Sequence, residues 1–307
     1  MSVMVFCTSQ PLPNNTDSNL TVYESCKDLN EVLIWYLILQ FINIFVGIPA
    51  NFIVVWLIRK SKGDSSTSDM YIFHLAVLDI LFCLIFPLEL ANILYLTNSG
   101  TWYVLRFFYG MKDTSPLLLS CICLDRYVAV VHPITFTKIK DRLHRRALVI
   151  VAWLLILSFS VAKSALGNVV DFDKIYMGII LVVFAFMVFC NIAILLALRH
   201  SGPGRDEMHP VKKRAFNLVL IILAIIVFNY FPPVALFPFQ ECFTRQVFKC
   251  YIHYIAFGLL NLSSSIQPVL YLSKAKLSWG LDCCQTSKSD MQSTEATENM
   301  STTHIDL

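Results

Sequence analysis

Charge is scarce in this chain. Only 15% of its 307 residues are Asp, Glu, Lys or Arg, against 56% apolar ones, where soluble domains carry about 25% charged residues. With a mean hydropathy of +0.63, that shortage excludes an ordinary water-soluble domain and makes a polytopic membrane protein the default. The net charge of +3 is too small to argue for a nucleic-acid partner. Signatures of membrane-embedded chemistry are also missing. There is no HExxH zinc motif, no pair of aspartates in adjacent late spans and no inverted repetition of the kind that builds transporters. No cofactor is implied, and no enzyme is expected. The first 30 residues lack a basic start followed by an apolar core and a cleavage site, so the first apolar stretch is expected to act as its own insertion signal.

What is present is a succession of seven apolar stretches, at about 32–58, 70–96, 105–131, 147–166, 175–198, 215–239 and 251–272. Each is long enough to cross a hydrocarbon layer of about 30 Å as a helix. The loops between them are asymmetric in charge. One side holds Arg59, Lys60, Lys62, Lys138, Lys140, Arg142, Arg145, Arg146, Arg199, Arg205, Lys212, Lys213 and Arg214, with Lys274 and Lys276 beyond the last stretch. The other holds only Lys27, Arg106, Lys163, Lys174, Arg245 and Lys249. The positive-inside rule then puts the carboxyl end in the cytosol and the amino end outside. Residues 1–31 read as an extracellular glycosylated tail, with the sequons at Asn14 and Asn19 on the side where glycosylation occurs. Residues 32–273 form the seven-span domain of an all-α membrane protein.

Ionisable residues inside such spans face a protein interior or a watery cavity, because hydrocarbon penalises them. Asp125 and Arg126 end the third stretch and read either as the inner mouth of the bundle or as a snorkelling pair. Steps of three or four back from Arg126 pass Ile122, Leu119, Ser115, Lys112 and Phe108, a single face of one helix. Lys112 is too deep to snorkel, so it is expected to point into a polar cavity, with Asp113 about 100° away. In the second stretch Asp79 shares a face with Cys83, Phe86 and Leu90, and Glu89 approaches that face after the kink expected at Pro87. A Glu89–Lys112 ion pair is geometrically accessible. Either these charges line a functional cavity or they pair only to orient helices. The seventh stretch adds His253, Phe257, Asn261, Ser264 and Gln267 before Pro268; His253, near its outer end, reads equally as a solvated histidine or a ligand contact.

Several motifs in this order resemble the rhodopsin-like (class A) G-protein-coupled receptors. They are Gly47 to Val54 in the first span, Leu75-Ala76-Val77-Leu78-Asp79 in the second and Asp125-Arg126-Tyr127 with Pro133 at the end of the third. Trp153 in the fourth, Pro232 in the sixth and Gln267-Pro268-Val269-Leu270-Tyr271 in the seventh complete the set. Within the family, Phe73 to Ala76, Pro87 to Glu89 and the sixth-span Phe-Pro region look most like the nucleotide, lysophospholipid and protease-activated receptor branch.

The resemblance implies a seven-transmembrane bundle that passes an extracellular small-molecule or lipid signal to a heterotrimeric G protein at the plasma membrane. It implies a ligand site near Glu89, Phe108, Lys112, Tyr230, His253 and Phe257. The activation switch would comprise Asp125, Arg126, Tyr127, Pro232, Pro268 and Tyr271, with outward movement of the sixth helix hinged near Pro232. It implies a sodium site, for which Asp79, Ser115, Ser264 and Gln267 are the candidates. Of the outer cysteines Cys7, Cys26, Cys242 and Cys250, a Cys26–Cys250 bridge resembles that of the nucleotide receptors; Cys242–Cys250 is the alternative, as in some lipid receptors. Residues 274–284 read as an amphipathic membrane-surface helix ending in the palmitoylation candidates Cys283 and Cys284. Residues 285–307 read as a disordered cytoplasmic tail open to receptor kinases and arrestin.

Departures from the family pattern are equally specific. Thr101 and the cysteine-free loop near 167–174 cannot form the usual outer bridge. Tyr230 stands for a tryptophan, Val183 for a proline, Asn191 for a tyrosine, Gln267 for an asparagine and Lys212 for an acid. A loosely held inactive state with basal activity is expected from Lys212. A non-signalling scavenger or partner-receptor protein is the alternative reading. A light sensor is disfavoured, because 251–272 contains no lysine.

Overall fold

A computed structural model describes residues 30–60, 68–92, 99–139, 142–167, 169–170, 172–200, 210–236, 242–244, 247–252 and 254–273. Seven helices among them are long and apolar enough to cross a membrane: Ile34–Lys60, Asp69–Ala91, Gly100–Val131, Leu143–Leu166, Lys174–Arg199, Val219–Leu236 and Cys250–Ser273. A short helix, Pro133–Ile139, follows the third. The bundle is inside-out by the standards of a soluble protein. Phe45 is 72% exposed and Val182 69%, while Asp79, Lys112, Asn43 and Asn51 are buried. Such an arrangement is stable only where hydrocarbon covers the outside.

Close helix contacts depend on small residues. A Cβ on Gly110 of the third helix would lie 2.8 Å from the Ser160 Cα of the fourth, and one on Gly47 of the first would lie 2.9 Å from the Ser265 Oγ of the seventh. At the bundle centre Leu78, Met111, Leu118, Ile156, Ile180, Met187, Tyr230 and Leu260 form the main apolar core.

Two helices depart from the uninterrupted geometry that the apolar runs suggest. In the first, Asn43–Gly47 forms a π-helical turn between Asn30–Ile42 and Ile48–Lys60. The third breaks at Ser115 into Ser99–Thr114 and Pro116–Val131. Pro116 has no N–H to offer the Lys112 carbonyl, and its ring crowds that carbonyl. The Ser115 N–H donates to it instead, at 3.1 Å, in a tightened turn. The single face counted from Arg126 back to Phe108 is therefore interrupted midway.

Candidate functional site

The first helix supplies a row of polar residues, Tyr36, Gln40, Asn43, Gly47 and Asn51, spaced at three or four and all buried. They form one inward face. Asn51 Nδ2 donates to the Gly47 and Ser264 carbonyls, each at 2.9 Å, pinning the first helix to the seventh. From there a continuous chain of hydrogen bonds runs along the first helix. Ser265 Oγ donates to Asn43 Oδ1 (2.8 Å), Asn43 Nδ2 to Gln40 Oε1 (3.3 Å), Gln40 Nε2 to the Tyr36 hydroxyl (2.8 Å) and that hydroxyl to Glu89 Oε1 (3.3 Å). The Tyr109 hydroxyl also faces Glu89, and the Tyr254 ring packs edge-on against Tyr36 at 5.2 Å. Glu89 is 7% exposed, and its carboxylate is held by hydroxyls; no cationic side chain among the described residues pairs with it.

Lys112 does not reach Glu89. Its ammonium lies 3.0 Å from Asp79 Oδ1, also donates to Ser263 Oγ at 3.3 Å and to Ser264 Oγ, and sits over the Phe82 ring at 5.3 Å. The reason is depth. Asp79 and Glu89 are ten positions apart, about 15 Å along a helix, and the third helix places Lys112 at the level of the former. The expected Glu89–Lys112 pair is replaced by Asp79–Lys112, and Glu89 keeps a separate neighbourhood. Asp113, on the next face, is bound by Lys163 of the fourth helix.

The remaining predicted residues fall into the same frame. Phe108 and Phe257 are half-buried against the central core; Phe257 packs on Tyr176 at 5.7 Å. The buried Tyr230 hydroxyl faces Ser263 and Gln267. Ser115 and Asn261 are buried. Pro232 and Pro233 lie inside the continuous sixth helix, Pro210–Leu236, and leave carbonyls one turn earlier without helical donors. At the Asp125 end, Ser68 Oγ donates to Asp125 Oδ2 at 2.7 Å and the Tyr271 hydroxyl to Asp69 Oδ1 at 3.4 Å. Tyr127 lies 3.3 Å from His132 Nε2. Arg126 is half-buried, and no hydrogen bond or ion pair joins it to a described residue. Asn191 Nδ2 donates to the Met187 carbonyl of its own helix at 2.8 Å and to Cys123 Sγ of the third helix at 3.5 Å.

Cys242 and Cys250 each take part in a disulfide bond. Asn14, Asn19, Cys26, His253, Cys283 and Cys284, with the 274–284 segment and the tail after it, lie outside the described residues. The sequence reading missed Tyr36, Gln40, Asn43, Tyr109 and Ser263. For the first three the signal was present, as polar residues at helical spacing inside an apolar run.

The outward grooves are apolar. One lies along Leu220, Leu223, Val227 and Phe231 of the sixth helix and another beside Trp153 and His74.

Comparison with known proteins agrees with this geometry. Residues 50–177 match the family described as 7 transmembrane receptor (rhodopsin family). The chain is 26% identical to Proteinase-activated receptor 3 of Bos taurus, over 86% of this chain and 78% of that receptor. It is 28% identical to the Platelet-activating factor receptor of Cavia porcellus, over 62% of this chain and 65% of that one. To C-C chemokine receptor type 7 of Mus musculus it is 35% identical, over 42% and 36%.

Proposed function

Because the chain belongs to the rhodopsin-like (class A) seven-transmembrane receptors, we propose that it works as a ligand-responsive G-protein-coupled receptor of the plasma membrane, with its amino end outside. The observation that carries this reading is the state of the Asp125-Arg126-Tyr127 triplet. Asp125 accepts a hydrogen bond from Ser68, while Arg126 sits half-buried at the cytosolic mouth without an ion-pair partner among the described residues. An arginine there offers five donors in a planar fork, suited to the carbonyls of an inserted G-protein tail.

Ligand binding belongs to the opposite end, around Glu89, Phe108, Phe257 and Tyr230. Lys112 lies beneath that space and is engaged by Asp79, so Glu89 is the charged group left facing it. The hydrogen-bond chain from Glu89 through Tyr36, Gln40 and Asn43 to Ser265 connects that space to the seventh helix. A ligand that reorganises Glu89 would bias the seventh helix by this route, and the sixth helix, weakened at Pro232 and Pro233, would swing outward at its inner end. Receptor kinases and arrestin would then act on the serine- and threonine-rich tail.

In cells expressing the chain, G-protein activation is expected above mock-transfected levels without added ligand, and Arg126→Ala is expected to remove it. Surface expression with no signal, and no effect of Arg126→Ala, would refute the proposal. Arrestin recruitment or internalisation without G-protein activation would instead favour a non-signalling role.

A further inference from the structure

The family resemblance implies a diffusible sodium ion at Asp79, but the residues around that carboxylate do not fit one. We propose that the Lys112 ammonium is a tethered counter-ion that occupies the internal cation site at Asp79 and makes this receptor indifferent to sodium.

The bonding geometry carries the assignment. A lysine ammonium has three N–H donors and a compact charge. Here three oxygens receive them: Asp79 Oδ1 at 3.0 Å, Ser263 Oγ at 3.3 Å and Ser264 Oγ. Ser264 in turn donates its own proton to Asp79 Oδ1 at 2.7 Å, so the three ammonium protons and the Ser264 hydroxyl proton each have an acceptor. Both charged groups are sealed, Lys112 at 4% exposure and Asp79 at 1%. Asp79 Oδ1 and the two serine hydroxyls are therefore already engaged, and a second cation at the same carboxylate would face the ammonium at close range in a medium of low dielectric. Asp79 Oδ2 is buried without a hydrogen-bond partner and is the one position where a second ion could still attach, so sodium dependence is the decisive measurement.

The cluster also joins three helices. Asp79 comes from the second, Lys112 from the third and Ser263 and Ser264 from the seventh. Because the cation is covalently part of the third helix, it cannot leave; any rearrangement of these helices must carry the ammonium with it or break its bonds.

The test uses the full-length chain purified in detergent, with thermal unfolding followed in sodium chloride and in choline chloride at equal ionic strength. Wild type is expected to unfold at the same temperature in both salts. Lys112→Met leaves the Asp79 charge buried and unpaired; it is expected to unfold several degrees lower in choline and to recover part of that loss in sodium. Asp79→Asn added to Lys112→Met is expected to abolish the sodium response and to be more stable than Lys112→Met alone, since removing both charges costs far less than stranding one. If Lys112→Met does not fold, the double variant and the wild-type salt comparison still decide. Wild type stabilised by sodium in an Asp79-dependent way, a folded Lys112→Met without a sodium response, or a double variant no more stable than Lys112→Met would overturn the proposal.

Discussion

Glycines at helix contacts carry the most specific residue-level expectations. Gly110 sits against the Ser160 backbone, which cannot rotate away, whereas Gly178 of the fifth helix faces open space with no atom within 4 Å of an added Cβ. Gly110→Ala is expected to destabilise by about 1–3 kcal/mol through overpacking. Gly178→Ala is expected to be neutral or to stabilise by up to about 1 kcal/mol through helix propensity. Thermal unfolding of the two variants beside wild type checks this, and equal behaviour would contradict the contact geometry. At this scale the sequence was informative about which residues are inside and less so about their partners. Asp79, Glu89, Lys112 and Asp113 all read as interior because hydrocarbon tolerates none of them outside. Yet Lys112 pairs with Asp79 and Asp113 with Lys163, because partner choice depends on how deep each helix is set. Periodicity describes a helix's faces and carries no information on its shift along the membrane normal. Lys163 was assigned to a loop side from its position near a span end, although its long stem lets it reach inward.

Among the elements, the third helix departs most from its apolar pattern. Its run from 105 to 131 suggested one continuous stripe, but Pro116 divides it, and the turn at Ser115 sets the rotation of the segment that carries Lys112. The proline was visible in the sequence, and its consequence follows from the missing N–H. If the break aims Lys112 at Asp79, the coupling between these two residues is smaller in a Pro116→Ala background than in wild type. A double-mutant cycle on thermal stability measures it, and an unchanged coupling would show that the break has no part in forming the pair. The first helix teaches the reverse lesson. Its inward face was fully encoded by Tyr36, Gln40, Asn43, Gly47 and Asn51, but hydroxyls and amides signal burial less loudly than charges. Asn51, which carries the family motif, was noticed, and its polar neighbours were not.

Seen as a whole molecule, the seven-span architecture was legible because the bilayer allows so few solutions. Apolar length, loop charge and the order of motifs point to one topology, and seven helices among the described residues are long and apolar enough to cross a membrane. Long-range covalent links were less accessible, since four outer cysteines allow three complete pairings. With Cys242 and Cys250 each in a disulfide bond, peptide mapping under non-reducing conditions is expected to recover Cys26 linked to Cys250. A Cys242–Cys250 peptide or an alkylated Cys26 would exclude that pairing. The proposed signalling role asks three things of the whole bundle: a polar core closed by Lys112 and Asp79, a ligand side centred on Glu89 and an inner mouth presenting Arg126. The most direct measurement is nucleotide exchange on purified heterotrimeric G proteins by the chain reconstituted in lipid nanodiscs, wild type beside Arg126→Ala. Wild type is predicted to accelerate exchange on at least one G-protein class and Arg126→Ala to return it to the rate of empty nanodiscs; a folded wild-type receptor that leaves every class at that basal rate would contradict the account.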